Sequence, residues 1–585
     1  MTEEEQADWQ KESLGRFLWH HRGLWMTDEQ KAILIAREPK YAKLWPEIKP
    51  ASLDEPSITP RVNLPTYAPC EHIGPGTGCR TRKCALGYGG EKGVRACQDC
   101  GPKCPGYAPD DATESLDIVV DHGASGIGDG LQGLLAVGAL KRQNAEAHIS
   151  YHVSPAAKPF VELFDGYDDL ALHARGHSEL PVEGARQMNL GYMAECAQRL
   201  ARPRWERYAS NIGTTGYVLP ELREQARIKA LGSEFAGFVI LCPFSTDRTR
   251  EYSTQHWLSL VSLLHNAGYK VAICHNNPDR IQPFRGLTML AGATAEVVAG
   301  AFLNAVAVVG TDSGLAHLGG ILRCPTVILG GGTPVQQIFG CYPRVHIIQG
   351  GLSCSGCCNT YPMDERCRMS CGNLQSIQPK EVLEQVDKIW LGEKLTAGRT
   401  LVDHKRLAKI RDCILQTNHL RGDIAELGTY MGGVAKLMGH YAPACRLHIF
   451  DTFTGIPSDD PYANGHRIGD FATSFEDVKA YISNPNAAYH VGFFPATIPK
   501  DEIQYRFVHL DGDLRQTTVD ALKYFWPRMV EGGVIVLDDM DWVRTPGVRE
   551  ALNEVLPGMH VERSCEYQGI LRKKKGVSLE ILDRP

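Results

Sequence analysis

Four sets of residues in this sequence have the types and spacing that chemistry requires. Gly126-Ile127-Gly128-Asp129-Gly130 lies between an apolar run and a helical pattern. Glycines at such a turn let backbone N–H groups approach a ligand, and a helix start favours an anion. Asp129 is placed to act there as a general base or, in the plainer reading, to cap the helix. Thr311-Asp312-Ser313-Gly314-Leu315-Ala316-His317 leaves a second apolar run and enters a second helix. Thr311, Ser313 and the Gly314 amide suit phosphate oxygens, with Asp312 and His317 at the same end of the unit.

The third set is Glu426-Leu427-Gly428-Thr429-Tyr430-Met431-Gly432-Gly433, followed by Asp451 at the end of the next apolar run, HIFD. By the logic of dinucleotide sites, a strand-end acid after a Gly-rich turn is placed to bind ribose hydroxyls. The fourth set is Asp511-Gly512-Asp513 with Asp538-Asp539, at the ends of two further apolar runs. Carboxylates so gathered repel one another unless a cation or proton intervenes, and an all-oxygen set suits Mg²⁺. Helix capping by Asp513 is the structural alternative.

Cysteine is used locally. Of the 19 cysteines, six fall between Cys70 and Cys104 and five between Cys354 and Cys371. Cys354, Cys357, Cys367 and Cys371 have a C-x2-C-x9-C-x3-C spacing that suits tetrahedral zinc or iron. Buried thiols or a disulfide are the alternative. In the N-terminal set, Cys79, Cys84 and Cys97 with Cys100 or Cys104 are expected to hold Zn²⁺, with an iron–sulfur cluster as the second choice. That segment is Gly-rich and has no apolar period, so a metal would supply the fold that a core cannot.

Elements must position these residues. LDIVVDHG, GFVILCPF, KVAICHN, AVAVVGTD and PTVILGGG are short apolar runs, and helical patterns such as TQHWLSLVSLLHNAG and SGLAHLGGILR lie between them. The alternation predicts a parallel α/β region with room for two units. A polar hinge, LGEKLTAGRT, is expected to precede a second α/β region, in which DIAELG, RLHIFDTF, FVHLDGD and GGVIVLDD alternate with helical patterns. Residues 1–66 read as a helical arm, and 67–110 as a Cys-rich metal knuckle.

In the 585-residue chain, hydrophobic residues are 43%, charged residues 22% and the formal net charge −6. This balance argues against a broad nucleic-acid-binding face. No apolar stretch reaches the roughly 20 residues of a membrane helix. The N-terminus, MTEEEQADWQKES, is acidic where a signal peptide is basic. A cytoplasmic location is expected, where cysteines remain thiols or metal ligands.

TDSGLAHLGGILRCPTVILGGGTP resembles the nucleotide-binding signature of glycosyltransferase family 9, the ADP-heptose heptosyltransferases. GIGDGLQ with its apolar helix is similar to that family's N-terminal turn, and CPFSTDRTREYSTQHWLSLVSLL resembles the segment opening its second Rossmann domain. The resemblance implies a GT-B fold over 111–395, with Rossmann-like halves of about 111–230 and 231–395. It implies that Thr311, Asp312, Ser313, Gly314 and His317 bind the diphosphate of a nucleotide-sugar donor, and that Asp129 deprotonates the acceptor hydroxyl. Arg248, with Arg250 nearby, stands where the family carries a lysine near the donor phosphates. Some family members that modify proteins look similar, carrying a cysteine-held iron near the place of Cys354–Cys371.

IAELGTYMGG, IFDTFTGIP, FVHLDGD, TTVDALKYFWP, GGVIVLDD and GVREAL look, in that order, like the macrocin O-methyltransferase family. This resemblance covers 400–574 and implies a Rossmann-like class I methyltransferase that uses S-adenosylmethionine and Mg²⁺ on a sugar hydroxyl. Glu426, Gly428, Gly432 and Asp451 map to cofactor positions, and Asp511, Asp538 and Asp539 to metal positions. His466, in NGHRIGDFATSF, is the candidate general base, and His490 its competitor. Arg515 stands where members often have tyrosine.

The sequence is thus expected to encode a bifunctional transferase. One half would move a heptose-like sugar from a nucleotide sugar to a glycan, lipid-linked or protein acceptor. The other would methylate a sugar hydroxyl. Two further readings stay open: a methyltransferase whose degenerate transferase half binds glycans, and a zinc-organised scaffold. Homo-oligomerisation is left open as well.

Overall fold

The computed structural model describes residues 117–122, 126–172, 186–190, 203–275, 277, 279–352, 371–457, 466–564 and 567–574. The expected helical arm and N-terminal cysteine knuckle lie outside the described residues, as do Cys354, Cys357 and Cys367.

The described residues form three sheets along the chain. The first joins β1 (Asp117–Asp121), β2 (His148–Val153), β3 (Asp169–Leu172) and β4 (Arg186–Asn189) in the parallel order β3-β2-β1-β4. The second joins β5 (Phe238–Cys242), β6 (Lys270–Cys274), β7 (Thr288–Leu290), β8 (Ala307–Thr311), β9 (Thr326–Gly330) and β10 (Val345–Gln349) in the order β10-β9-β8-β5-β6-β7, again parallel. The third contains β11 (Asp423–Leu427), β12 (Leu447–Asp451), β13 (Ala487–Val491), β14 (Tyr505–Leu510) and β15 (Met529–Leu537), then β16 (Glu562–Arg563) and β17 (Gly569–Arg572). Its order is β13-β12-β11-β14-β15-β17-β16, and β16 and β17 run antiparallel at one edge.

Helices cover the sheets, which is why the central strands read as unbroken apolar runs. β8 is buried along its whole length, and β5 along all but its first residue. α1 (Ile127–Gln143) is apolar nearly throughout because it also packs on α5 (Gly314–Ile321), a helix of the second sheet. Between them fall α2 (Arg204–Asn211), α3 (Thr254–Asn266) and α4 (Ala295–Asn304). Ser253 caps α3 by accepting the His256 amide at 3.1 Å. No described helix is long and apolar enough to cross a membrane.

In each sheet the strand order reverses at one place: beside β1, between β5 and β8, and between β11 and β14. Connections leaving such strands diverge and open a crevice at the C-terminal strand ends. Gly126–Gly130, Thr311–His317, Glu426–Gly433 and Asp511–Asp513 end or follow strands at these places, and Asp451 and Asp538-Asp539 end or follow the adjacent strands β12 and β15.

The sequence LGEKLTAGRT is a packed joint rather than the expected polar hinge. α6 (Pro379–Asp387) runs on as a π-helical segment, Lys388–Leu395, before α7 (His404–Thr417) begins. Leu391, Leu395 and Thr396 are buried, so two leucines one turn apart supply an inner face that the polar majority disguises. Lys394 Nζ donates to the Ala305 and Val306 carbonyls, at 2.8 and 3.1 Å, just ahead of β8. At the other end, the Arg399 carbonyl accepts the Gly433 amide at 2.9 Å, where α8 (Gly433–Tyr441) starts. A Cβ on Gly433 would come within 2.5 Å of that carbonyl, so the approach needs glycine.

Beside this joint, Arg411 of α7 pairs with Asp387 of α6, and Tyr269, just before β6, donates its hydroxyl to the same carboxylate at 2.7 Å. Arg411 and Asp387 are 1% and 3% exposed, so loss of either charge strands the other in the interior. Arg411→Ala should therefore destabilise the full chain by about 3–5 kcal/mol, read as an earlier denaturant transition. A shift below about 1 kcal/mol, the value of an exposed pair, would show that the ion pair is open to water.

Two candidate active sites

The first site lies where the first two sheets meet. Gly128 and Gly314 begin helices from different sheets, and those starts touch. A Cβ on Gly128 would lie 2.5 Å from His317 Cδ2, and one on Gly314 would lie 2.6 Å from the Ile127 Cβ. The glycines are thus needed for close approach across the sheets. The contact brings Asp129 beside the Thr311–His317 motif.

Asp129 is partly exposed. Its Oδ1 accepts Arg204 Nη1 at 3.1 Å and the Tyr208 hydroxyl at 3.3 Å, both from α2. Its Oδ2 accepts the Gly126 amide at 3.3 Å, so the capping reading and an accessible carboxylate coexist. Asp312 is buried, with Oδ2 3.2 Å from Arg250 Nη1 and Oδ1 4.0 Å from His317 Nε2. Burial would raise the Asp312 pKa, but the charges of Arg250 and Arg204 hold it below the usual carboxylate value. Burial drives the His317 ring down to about 4, so it is neutral at pH 7. Its Nδ1 meets the Tyr342 hydroxyl at 3.1 Å and its ring stacks on Phe339. His317 Nε2 and Thr311 Oγ1 are buried without a hydrogen bond, whereas Ser313 Oγ is occupied as the cap of α5. Arg248 lies in a short 3₁₀ turn and its side chain is outside the described residues; the described cation at Asp312 is Arg250.

The second site is a cavity of about 420 Å³ at the C-terminal ends of β11, β12, β14 and β15. Gly428 has φ +82°, and a Cβ there would strike the Asp511 carbonyl at 1.9 Å. Gly432 has φ +87° and precedes α8. Glu426 forms part of the wall, buried, with one oxygen taking the Thr429 hydroxyl. Asp451 reaches the cavity, but its oxygens also organise the turn. Oδ2 accepts the Thr429 and Tyr430 amides at 2.6 and 3.0 Å, and Oδ1 accepts that of Phe453 at 2.7 Å.

Asp511, Asp513 and Asp539 bring oxygens within 4.8 Å of one another, and His509, Asp511 and Asp538 form an overlapping group. Burial and the neighbouring carboxylates raise Asp511, push Asp513 to about 7 and push Asp539 to about 6. Asp538 goes the other way: burial opposes its charge, but His509 and Arg406 outweigh it. Arg406 Nη1 lies 3.2 Å from Asp538 and 3.0 Å from Asp539. Asp538 Oδ2 is buried without a hydrogen bond. A crowded oxygen set with an unsatisfied buried oxygen fits a hard divalent cation. His509, held between Glu426 and Asp538, is pushed up to about 10 although burial opposes its charge.

His466 lies at the cavity, half-buried between Phe471 and Trp542, with Nε2 lacking a hydrogen bond. His490 is not among the lining residues. It stacks on Phe450 and meets His448 Nδ1 at 3.0 Å, so it drops out as a competitor. Arg515 opens α9 (Arg515–Arg528) and pairs with Glu554 of α10 (Pro546–Val555), away from the cavity. Four of the nine positive-φ non-glycine residues among the described residues, Tyr430, Phe471, Asp513 and Asp539, line this cavity. Backbone strain of that kind gathers at functional sites.

The macrocin-O-methyltransferase (TylF) family model matches residues 386–561, and that of glycosyltransferase family 9 (heptosyltransferase) matches 212–365. The chain joins domains of these two enzyme families. Its methyltransferase region is 29% identical over 178 residues to demethyldecarbamoylnovobiocin O-methyltransferase of Streptomyces niveus, covering 27% of this chain and 67% of that enzyme. It is also 28% identical over 167 residues to a tetracenomycin-C rhamnosyl 4'-O-methyltransferase of Streptomyces olivaceus, covering 25% of this chain and 63% of that enzyme. The chain thus spans about two thirds of the length of these relatives. The solved structure of E. coli ADP-heptose lps heptosyltransferase II aligns with 48% of this chain and 99% of its own, at 15% identity and a TM-score of 0.37.

The glycosyltransferase–methyltransferase fusion holds residues that sequence reasoning passed over: Arg204 and Tyr208 at Asp129, and Arg406 and His509 at the acid cluster. One signal was available. His509 precedes Asp511 by two on one strand run, and that spacing puts both on one face. Cys371, the one described member of its cluster, is half-buried.

Proposed function

We propose that this chain transfers a heptose-like sugar from a nucleotide sugar and methylates a sugar hydroxyl, each at its own site. One observation supports the reading: both α/β regions gather their acidic and glycine motifs at or beside the switch points of their sheets.

At the first site, Thr311, Asp312, Ser313, Gly314 and His317, with Arg248 and Arg250, would hold the donor diphosphate. The buried orphan atoms Thr311 Oγ1 and His317 Nε2 favour a bound ligand over a purely structural turn. Asp129 would take the acceptor's proton as that oxygen bonds to the sugar's anomeric carbon and the diphosphate departs with its bonding pair. At the second site, Glu426, Gly428, Gly432 and Asp451 would cradle S-adenosylmethionine, and Asp511, Asp538 and Asp539 would hold Mg²⁺. When bound, these supply an electrophilic methyl group and the charge that lowers the pKa of a sugar hydroxyl. His466 would receive that proton as the oxygen–methyl bond forms and the sulfur–methyl bond breaks. Cys79, Cys84 and Cys97 with Cys100 or Cys104, and Cys354, Cys357, Cys367 and Cys371, would hold Zn²⁺ or iron on the strength of their spacing. The acceptor class is a glycan, lipid-linked or protein-borne.

The test is a panel of nucleotide sugars and candidate acceptors incubated with the full chain, S-adenosylmethionine and MgCl₂. Release of nucleoside diphosphate and of S-adenosylhomocysteine is expected. Methylation without nucleotide-sugar turnover across the panel would instead support a glycan-binding role for the first half.

A further inference from the structure

His509 touches both halves of the second pocket. It stands on β14 and is completely buried. Its Nδ1 lies 3.3 Å from Glu426 Oε1, and its Nε2 lies 3.7 Å from Asp538 Oδ2. The other Glu426 oxygen takes the Thr429 hydroxyl, so this carboxylate belongs to the Gly-rich turn. The other Asp538 oxygen accepts Arg406 and the Asp539 amide, both at 3.2 Å, which ties it to the acid cluster. One rigid ring therefore spans from the turn to the cluster.

The second of its contacts is too long for a hydrogen bond, and both His509 Nε2 and Asp538 Oδ2 are left without one. The ring is thus hydrogen-bonded at its Glu426 end and not at its Asp538 end. A ligand that restrains either carboxylate restrains the ring, and through it the other carboxylate. The ordering entropy of the three side chains is then lost once, on the first binding event, and the second ligand is spared it.

We propose that His509 is a positioning residue that couples the two ligands of the methyl-transfer site. A divalent cation on the acid cluster tightens methyl-donor binding, and the donor tightens the cation by the same factor. The inference rests on the reading of this pocket given above.

The experiment is calorimetric titration of the full chain with S-adenosylhomocysteine, in saturating MgCl₂ and in EDTA. This probe lacks the sulfonium charge, so its direct repulsion from a cation is small. Affinity should rise at least about fivefold with Mg²⁺, and Mg²⁺ should bind more tightly by the same factor when the probe is present. In His509→Gln, shown folded by circular dichroism, the factor should fall below about twofold. Equal probe affinity with and without Mg²⁺ in the parent would overturn the coupling and leave the methyl-donor reading standing. An unchanged factor in His509→Gln would overturn His509 as its carrier. No binding of the probe in either condition would remove the methyl-donor reading and this inference with it. Should His509→Gln fail to fold, His509→Asn takes its place and the parent's factor still decides.

Discussion

Asparagine in place of Asp538 should lower methyl transfer about 10³-fold or more, because a cation's electrostatic contribution is several kcal/mol and each 1.4 kcal/mol is tenfold in rate. The residue is 2% exposed, and its Oδ2 has no hydrogen bond. Arg406 and His509 already compensate part of the cluster's charge, so Asp538 stays ionised while burial pushes Asp511 and Asp539 toward the acid form. Asparagine keeps the shape and removes the charge. The measurement is S-adenosylhomocysteine release at saturating MgCl₂, with nucleotide-sugar turnover unchanged as the internal control. A loss below about tenfold would mean that Asp538 is not part of the cation set.

The second large effect is expected at Asp129. A positioned base contributes about 10²–10⁴-fold, and Asp129→Asn should lose that factor in sugar transfer while methylation continues. The variant keeps an acceptor for the Gly126 amide, so the α1 helix start should survive. Arg204 and Tyr208 hold the carboxylate in place and offer it no proton-accepting substitute. Nucleoside diphosphate release in the presence of acceptor reads the effect directly. Retention of sugar transfer within about tenfold would assign Asp129 to helix capping alone.

Much of the scaffold was legible because buried parallel strands write themselves as unbroken apolar runs. VVD, FVILC and VILG, followed by His-Gly, Pro and Gly-Gly, announce both a strand and its C-terminal turn. The Asp511 and Asp538-Asp539 motifs were legible for the same reason: charges at the end of such runs fall on one edge of a sheet. The partners were not. Arg204 and Tyr208 reach Asp129 across 75 and 79 residues, Arg250 reaches Asp312 across 62, and His509 reaches Glu426 across 83. No local period encodes those distances. Asp451 shows a different limit: an acid at a strand end beside a Gly-rich turn can serve a ribose, the turn's own amides, or both, with the same sequence. The joint at 388–402 misled because composition counts all residues equally, whereas a few residues, Ile389, Leu391, Leu395 and Val402, decide which side is buried.

Two separable sites in one chain is the central claim, and intact-mass analysis of the acceptor tests it most directly. The parent, Asp129→Asn and Asp538→Asn proteins are each incubated with acceptor, nucleotide sugar and S-adenosyl-[methyl-d3]methionine. The parent should add both a sugar and a labelled methyl increment. Asp129→Asn should add only the methyl when supplied with pre-glycosylated acceptor, and Asp538→Asn only the sugar. A folded variant that loses both increments on every acceptor would contradict the account.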